Sequence, residues 1–506
     1  MKMQFSEKTY IGDVLPPNAD GNAGEFFFET SSGVYYYHNG VEWLVVGGDP
    51  TVSNFDTYDD LRASSTPGSP IVLVGGRSTV GDGGQGFFVR DPANRPDNDG
   101  TVLVDADGQS WQRIFTGDVL AVWFFGNGAT ISLSDFDHLY GVVRSYHNTD
   151  TIDWIGVELS IPSSATLTMV GRWVIKRLTA RIAYGVFAEF YSQHDAVPTY
   201  VEFDTCQFYG ESAASGAFRF RTDEDTALVI HDSLFDTING VFLHGKAVIA
   251  DSYGRLVGFR TYDNSVLRNN IVQNINGGSV HLLRGNSFVF GNVFFAYNSP
   301  STVNIAEAAR VVNNSIISVI ESGLPYSGST QITSGVDGAI FANNYVYLRR
   351  HTYPYSFSMN SPRKVIVFGN YIESHTLGGQ DSTQWRFTTD GHAVVIANNV
   401  WAVRGGSGNY GVRIRGTNGV KANAIIANNM FMNFGSRAGQ GVERRNGVGN
   451  LKFVGNVFYN WHYGMRKLGP VTTSGSVEGN SNAFSNVVTA ISDPDYVNST
   501  SDITWS

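Results

Sequence analysis

Cysteine is almost missing from this 506-residue chain. The single one, Cys206, excludes an intrachain disulfide framework and a multi-cysteine zinc site. Charge is scarce too. Asp, Glu, Lys and Arg together make 16% of the residues, against ~25% on average. The balance is acidic, with 45 carboxylates to 35 basic side chains, which argues against a nucleic-acid partner. No apolar run approaches the ~18 residues of a transmembrane helix, so no membrane insertion is expected. The opening Met1-Lys-Met-Gln-Phe-Ser-Glu-Lys has no apolar stretch of signal-peptide type. Synthesis in a cytoplasm is expected, the chain either staying there or leaving by a route other than a cleaved signal. No cofactor and no metal are expected.

Glycine is plentiful, at 57 residues, well above the average share of ~7%. Aromatic residues make 13%, and the apolar fraction of 42% is enough to bury a large core.

The organising signal is an internal repeat. The segments VLRNNIV, FVFGNVF, RVVNNSI, IFANNYV, VIVFGNYI, VVIANNVW, IIANNMF and KFVGNVF share one pattern. Its second Asn falls at Asn270, Asn292, Asn314, Asn344, Asn370, Asn399, Asn429 and Asn456, with Asn480 as a weaker ninth case. The steps are 22 to 30 residues. The preceding residue is always Asn or Gly, the types that tolerate a left-handed backbone. Two residues after the Asn the chain is apolar, from Val272 through Trp401 to Phe458, a column expected to point inward. The bend continues upstream at Asp251-Ser252, Asp232-Ser233 and Asp204-Thr205, giving about twelve coils over residues ~200–480. A period this short, built of β-branched strands, fits a solenoid of parallel coils at ~4.8 Å spacing rather than a propeller. Stacked Asn side chains can hydrogen-bond along its axis. The competing interpretation is an antiparallel β protein with ordinary Asn-Gly turns.

Ahead of the repeat, EFFFETSSGVYYYHNGVEWLVVGG predicts a hairpin of aromatic strands turning at His38-Asn39-Gly40. So small a unit needs a partner to be stable. LSDFDHLYGVVRSYH (133–147) has helical spacing of Phe136, Leu139 and Val142–Val143. Between them lie GRSTVGDGGQGFFVRD, DNDGTVLV, SWQRIFTG and VWFFGNGA. These elements resemble the head of bacteriophage tailspikes and tail-fibre proteins with a pectate-lyase-like right-handed β-helix. The resemblance covers residues ~52–180 at motif level and ~200–480 at the level of the coil repeat. The acidic motif usual in that family is absent here, where the chain reads GNGATISLS.

The resemblance implies an all-β, right-handed parallel β-helix with a small N-terminal β module and a capping head. The expected segments are a virion-attachment module at 1–48, a head at 49–130, a capping helix and entry at 131–180, the helix at 181–490 and a tail at 491–506. It further implies a homotrimer on the virion tail, attached to other tail or baseplate proteins through the N-terminal module. Bacterial surface polysaccharide is the expected ligand, bound or cleaved.

Coils longer than the 22-residue minimum must carry loops, and the expanded ones lie between Asn314 and Asn456. Glycoside hydrolysis needs two carboxyl groups, at ~5–5.5 Å or ~6.5–9.5 Å, distances that neighbouring coils can supply. Glu373, Asp381 and Asp390 are the first candidates, and Glu321 and Asp337 come next. Glu373, on the apolar strand of Tyr371 and Ile372, is expected to have a raised pKa and act as general acid, with Asp390 as base. Trp385, Tyr353, Tyr355 and Tyr410 offer sugar-binding faces, and Arg349 and Arg413 offer cations. Trp401, in the inward column, belongs to the core. The Arg-rich loops leave a lyase acting on uronates open, since Arg can grip a carboxylate with two hydrogen bonds. A non-catalytic adhesin is the third alternative. The run Thr222–Asp225 is a solvated acidic turn or a calcium site, and Cys206 a small buried residue.

Overall fold

A computed structural model describes the chain, with the following extent. It covers the N-terminal strands, then residues 53–147 and 149–297 with short gaps at 66, 70, 194–198, 212–215 and 276–279. From 302 onward it covers the strands and bends of the coils; the longest spans outside the description are 320–329, 377–384 and 468–476. The chain divides into two compact units, Met1–Ser160 with Val174–Ala180, and Ile161–Trp173 with Arg181–Ser506.

The first unit begins with a four-stranded sheet. Phe26–Glu29, Val34–His38 and Trp43–Gly47 pair antiparallel, as the aromatic hairpin predicted. Thr9–Gly12 joins it in parallel, a strand the sequence did not announce. Phe27 and Trp43 are buried against each other, ring centroids 6.2 Å apart. A second sheet holds Ile71–Val74, Gly86–Arg90, Ser110–Arg113 and Val102–Val104 in antiparallel order, with Ser53–Phe55 parallel at its edge. Its helix, Tyr58–Ala63, starts with a capping box between Thr57 and Asp60. Tyr58, Leu61, Phe88, Leu103 and Trp111 close the core beneath it. The helix at Leu133–His147 forms where its spacing placed it, burying Phe136, Leu139, Tyr140 and Val143. Phe136 stacks on Trp154 at 4.5 Å, and the Tyr140 hydroxyl donates to the Val174 carbonyl.

The second unit is a parallel β-solenoid. Each strand pairs with the strand three places on in the sequence, so three sheets run along it. One sheet precedes the recurring bend, from Tyr200–Asp204 onward; one follows it, from Gln207–Gly210 onward; the third begins at Ala165–Met169. The bend has the expected cause. All eight Asn or Gly residues before the ladder positions have φ between 53° and 68°. Each ladder Asn is buried. Asn370 shows the rung: its backbone N–H and its Nδ2 both donate to Asn399 Oδ1, at 2.9 Å each, and its own Oδ1 accepts from Asn344.

Two ends of the ladder differ from the expectation. The ninth rung is Asn482, not Asn480, because the bend residue there is Ser481, with φ 55°. In the coil at Asp204 the bend residue is Thr205, one place later than in VIHDSL, so Cys206 takes the ladder position. Its N–H donates to Ser233 Oγ, and it is buried as expected. The ladder then passes through Ser252 to Asn270.

The inward column is the core. Ile372, Trp401, Phe431, Phe458 and Phe484 are all buried. Their rings stack coil on coil, at 5.9 Å for Trp401–Phe431, 4.8 Å for Phe431–Phe458 and 5.1 Å for Phe458–Phe484.

Candidate functional site

Because residue two after the ladder Asn points inward, residues one, three and five after it point outward. On the strand Tyr371–Thr376 these are Tyr371, Glu373 and His375. Register places Tyr345, Tyr347 and Arg349 beside them on one flank. On the other flank, Arg404 pairs with His375. The result is one outward face crossing three coils.

Glu373 is its centre, with only 13% of its side chain exposed. One carboxylate oxygen accepts from Arg404 Nε at 2.7 Å and lies 2.7 Å from His375 Nε2. The other accepts from the Tyr371 hydroxyl at 3.1 Å. The Arg404 guanidinium lies 4.6 Å over the Phe434 ring. Tyr345 and Tyr371 stack at 5.7 Å, and Tyr347 packs on His375 at 5.3 Å. Burial pushes the Glu373 carboxyl up, but the hydrogen bonds from His375, Arg404 and Tyr371 and the Arg404 charge outweigh it. Its pKa is held below the ordinary carboxylate value. This corrects the expectation of a raised pKa: the apolar strand is there, but the next coil supplies a cation and the same strand two further partners. The same carboxylate, after burial, raises the pKa of Tyr371.

The other described candidates, Arg349 apart, lie on the other two sheets. Asp337 lies on Asp337–Ala342 of the sheet before the bend, paired with Lys364. Trp385 lies on the third sheet, beside Phe357. Tyr410 and Arg413 lie on the same sheet, on Tyr410–Gly416, beside Gln440 and Glu443. Glu321, Tyr353, Tyr355, Asp381 and Asp390 lie outside the described residues. Glu373 and Arg349 thus lie on paired strands of the sheet after the bend, and Trp385 lies on a strand paired with that of Tyr410 and Arg413 on the third sheet. Sequence reasoning missed Tyr345 and Tyr347. Counting outward positions from the ladder Asn would have found both.

A second cluster lies on the sheet before the bend. His231 Nε2 is 3.0 Å from Glu202, and Nδ1 is 3.0 Å from Asp232 and 3.7 Å from Asp204. Burial lowers the His231 pKa, but the bonds to Asp232 and Glu202 and the Asp204 charge reverse this, leaving it above 6.5. Asp204, His231 and Asp232 bring three ligand-type atoms within 4.8 Å of one another. A cation there would need the neutral imidazole, which those carboxylates disfavour. The run Thr222–Asp225 leaves the strand Ala217–Thr222 for a turn whose Glu224 and Asp225 are exposed.

Residues 54–116 match the model of the phage tail protein small four-stranded β-sheet domain. That span holds the four antiparallel strands between Ile71 and Arg113. No match was found among curated protein sequences. Among solved structures, the chain is similar to the tailspike protein of Acinetobacter baumannii phage AM24, at 15% identity and a TM-score of 0.30, over 72% of this chain and 65% of that one. It is similar to full-length tailspike protein 2 of Escherichia coli O157:H7 bacteriophage CAB120, at 12% identity and 0.31, over 83% and 62%. The catalytic domain of a GH87 alpha-1,3-glucanase, in complex with nigerose, is similar at 10% identity and 0.35, over 78% and 72%. The chain spans less than two thirds of the length of these two tailspikes. The chain thus joins a segment of the phage tail β-sheet type to an all-β parallel solenoid that has phage tailspike proteins among its structural neighbours.

Proposed function

We propose that this chain is a phage tailspike that binds polysaccharide on the surface of its bacterial host and cleaves it by glycoside hydrolysis at the face around Glu373. The N-terminal module would attach it to other tail proteins, and the working form would be a homotrimer. The observation that carries this reading is Glu373 itself: a mostly buried carboxylate, gripped by Tyr371, His375 and Arg404, on a face lined by stacked tyrosines.

A carboxylate held below its ordinary pKa is ionised at neutral pH, so Glu373 acts as base rather than acid. It takes a proton from water as the water oxygen attacks the anomeric carbon. The bond to the leaving oxygen breaks, and a carboxylic acid protonates that oxygen. Asp381 and Asp390, on the chain following the Glu373 strand, are the candidates for that acid. Tyr345 and Tyr371 supply apolar ring faces for sugars, with Trp385 as a candidate for a further subsite.

Arg404 and Arg349 favour a second reading. On a uronate glycan they would pair with the sugar carboxylate, a base would remove the proton α to it, and the bond to the leaving oxygen would break to leave a double bond.

The test is release of reducing ends from purified host capsule or lipopolysaccharide. The wild-type chain is expected to release them, and Glu373→Gln to lower the rate by about 10²–10⁴-fold. Equal rates would remove Glu373 from the chemistry. Tight binding without any new reducing ends would make the chain an adhesin.

A further inference from the structure

A different face, on the third sheet and well upstream of Glu373, has a composition unlike the rest of this acidic chain. Its strands are Phe187–Ser192, Ala217–Thr222, Gly240–His244, Phe259–Thr261 and Val280–Leu283, five neighbours in one parallel sheet. At ~4.8 Å per strand they extend about 20 Å. Alternation sends Phe190, Phe218, Phe220 and Leu243 inward, where all are buried. The outward positions carry arginines and rings in turn. Register aligns Glu189 with Arg219, Arg219 with Phe242, and Phe242 with Arg260. A second row runs from Tyr191 through Arg221 to His244.

The arginines lie on the rings. Arg219 is 4.4 Å over Phe187, Arg260 is 4.8 Å over Phe242, Arg221 is 4.7 Å over Tyr191, and Arg284 is 5.7 Å over Tyr262. His244 stacks on Tyr262 at 4.2 Å. Among the described residues, Glu189 pairs with Arg219, while Asp223 accepts from the Tyr191 hydroxyl and Asp263 acts on His244 at the edges of the strip. The Nε atoms of Arg219, Arg260 and Arg284 and Nε2 of His244 are shielded from water and have no hydrogen-bond partner. Buried donors without acceptors are rare. Three arginine donors without an acceptor in one strip leave its guanidinium groups with hydrogen-bonding capacity that the strip itself does not use.

We propose that this strip is a second, non-catalytic binding site for acidic polysaccharide, taking the carboxylates of successive sugars on its guanidinium groups and the sugar faces on its rings. Charge complementarity identifies the occupant: a row of four arginines about 14 Å long on a chain of net charge −10. Arginine held on an aromatic ring is oriented in advance for two-pronged binding of a carboxylate. The site takes no part in bond cleavage and does not depend on the role given to Glu373.

The full chain is run in affinity gels containing polygalacturonate, with dextran as the neutral comparator. Polygalacturonate is expected to retard it and dextran is not, and added salt to weaken the retardation. Arg260→Ala with Arg284→Ala should weaken polygalacturonate binding at least tenfold. Arg260→Lys with Arg284→Lys, which keeps charge and stem, should give an intermediate loss. Retardation is read without cleavage, so failure of the hydrolase reading leaves this result standing. Equal retardation by dextran, or none by polygalacturonate at low salt, would overturn the proposal. So would alanine variants that change the oligomeric state while binding polygalacturonate unchanged, since the strip would then be a contact between copies.

Discussion

Gly369, at φ 66°, sits where a Cβ would lie 2.2 Å from Asn343 Oδ1. Gly369→Ala should lose roughly the 1–2 kcal/mol of the left-handed backbone, since the Asn343 amide can turn aside. Asn398→Gly, at a bend with room for either residue, should shift the midpoint of chemical unfolding far less. Asn370→Ala leaves the Asn344 donors without their acceptor and should cost about 1–3 kcal/mol for each buried group stranded. His231 makes a pH prediction. Its folded pKa is raised, so its contribution to stability is full below 6.5 and fades as pH rises through the folded value. An NMR titration of its ring should give a midpoint above 6.5, falling in Asp232→Asn; a midpoint at or below 6.5 would contradict the assigned contacts. At this scale the bends are legible in the sequence because Asn and Gly tolerate φ above zero. The one-residue shift to Cys206 and the ninth rung at Asn482 are not, since Thr and Ser at those bends give no such signal.

The stacked rings belong to the scale of the element. Phe458 lies between Phe431 and Phe484, and Phe458→Ala should cost about 3–5 kcal/mol. Unfolding in urea, followed by tryptophan fluorescence, would check it. Strand order and register are legible in the amino-acid pattern alone, through the repeat period and the inward apolar column. The outward face follows from the same count, but the loops that lengthen the expanded coils give a louder signal and draw the candidates toward themselves. Glu373 stands out by residue type, whereas its low pKa does not. Arg404, which holds it, is 31 residues away and meets it only through coil stacking. The arginine strip is hidden in the sequence for a related reason. Its arginines come from two strands and from the residue after a third, and gather only when those strands are in register.

Across the whole molecule, a solenoid is held together by contacts between neighbouring coils. Phe458→Ala should therefore speed hydrogen exchange around Phe431 and Phe484 and leave the coils at Phe208 and Phe235 nearly unchanged. Uniform acceleration would mean the solenoid unfolds as a single block. The division of labour proposed for the two faces also belongs to this scale: a cationic strip that holds acidic glycan and a carboxylate face that cuts. The most direct test is digestion of host polysaccharide in heavy-oxygen water, with the products weighed by mass spectrometry. Hydrolysis through Glu373 predicts one heavy oxygen per broken bond, with products strongly reduced in Glu373→Gln. Unsaturated products without the label, or labelled products formed equally fast by Glu373→Gln, would contradict it.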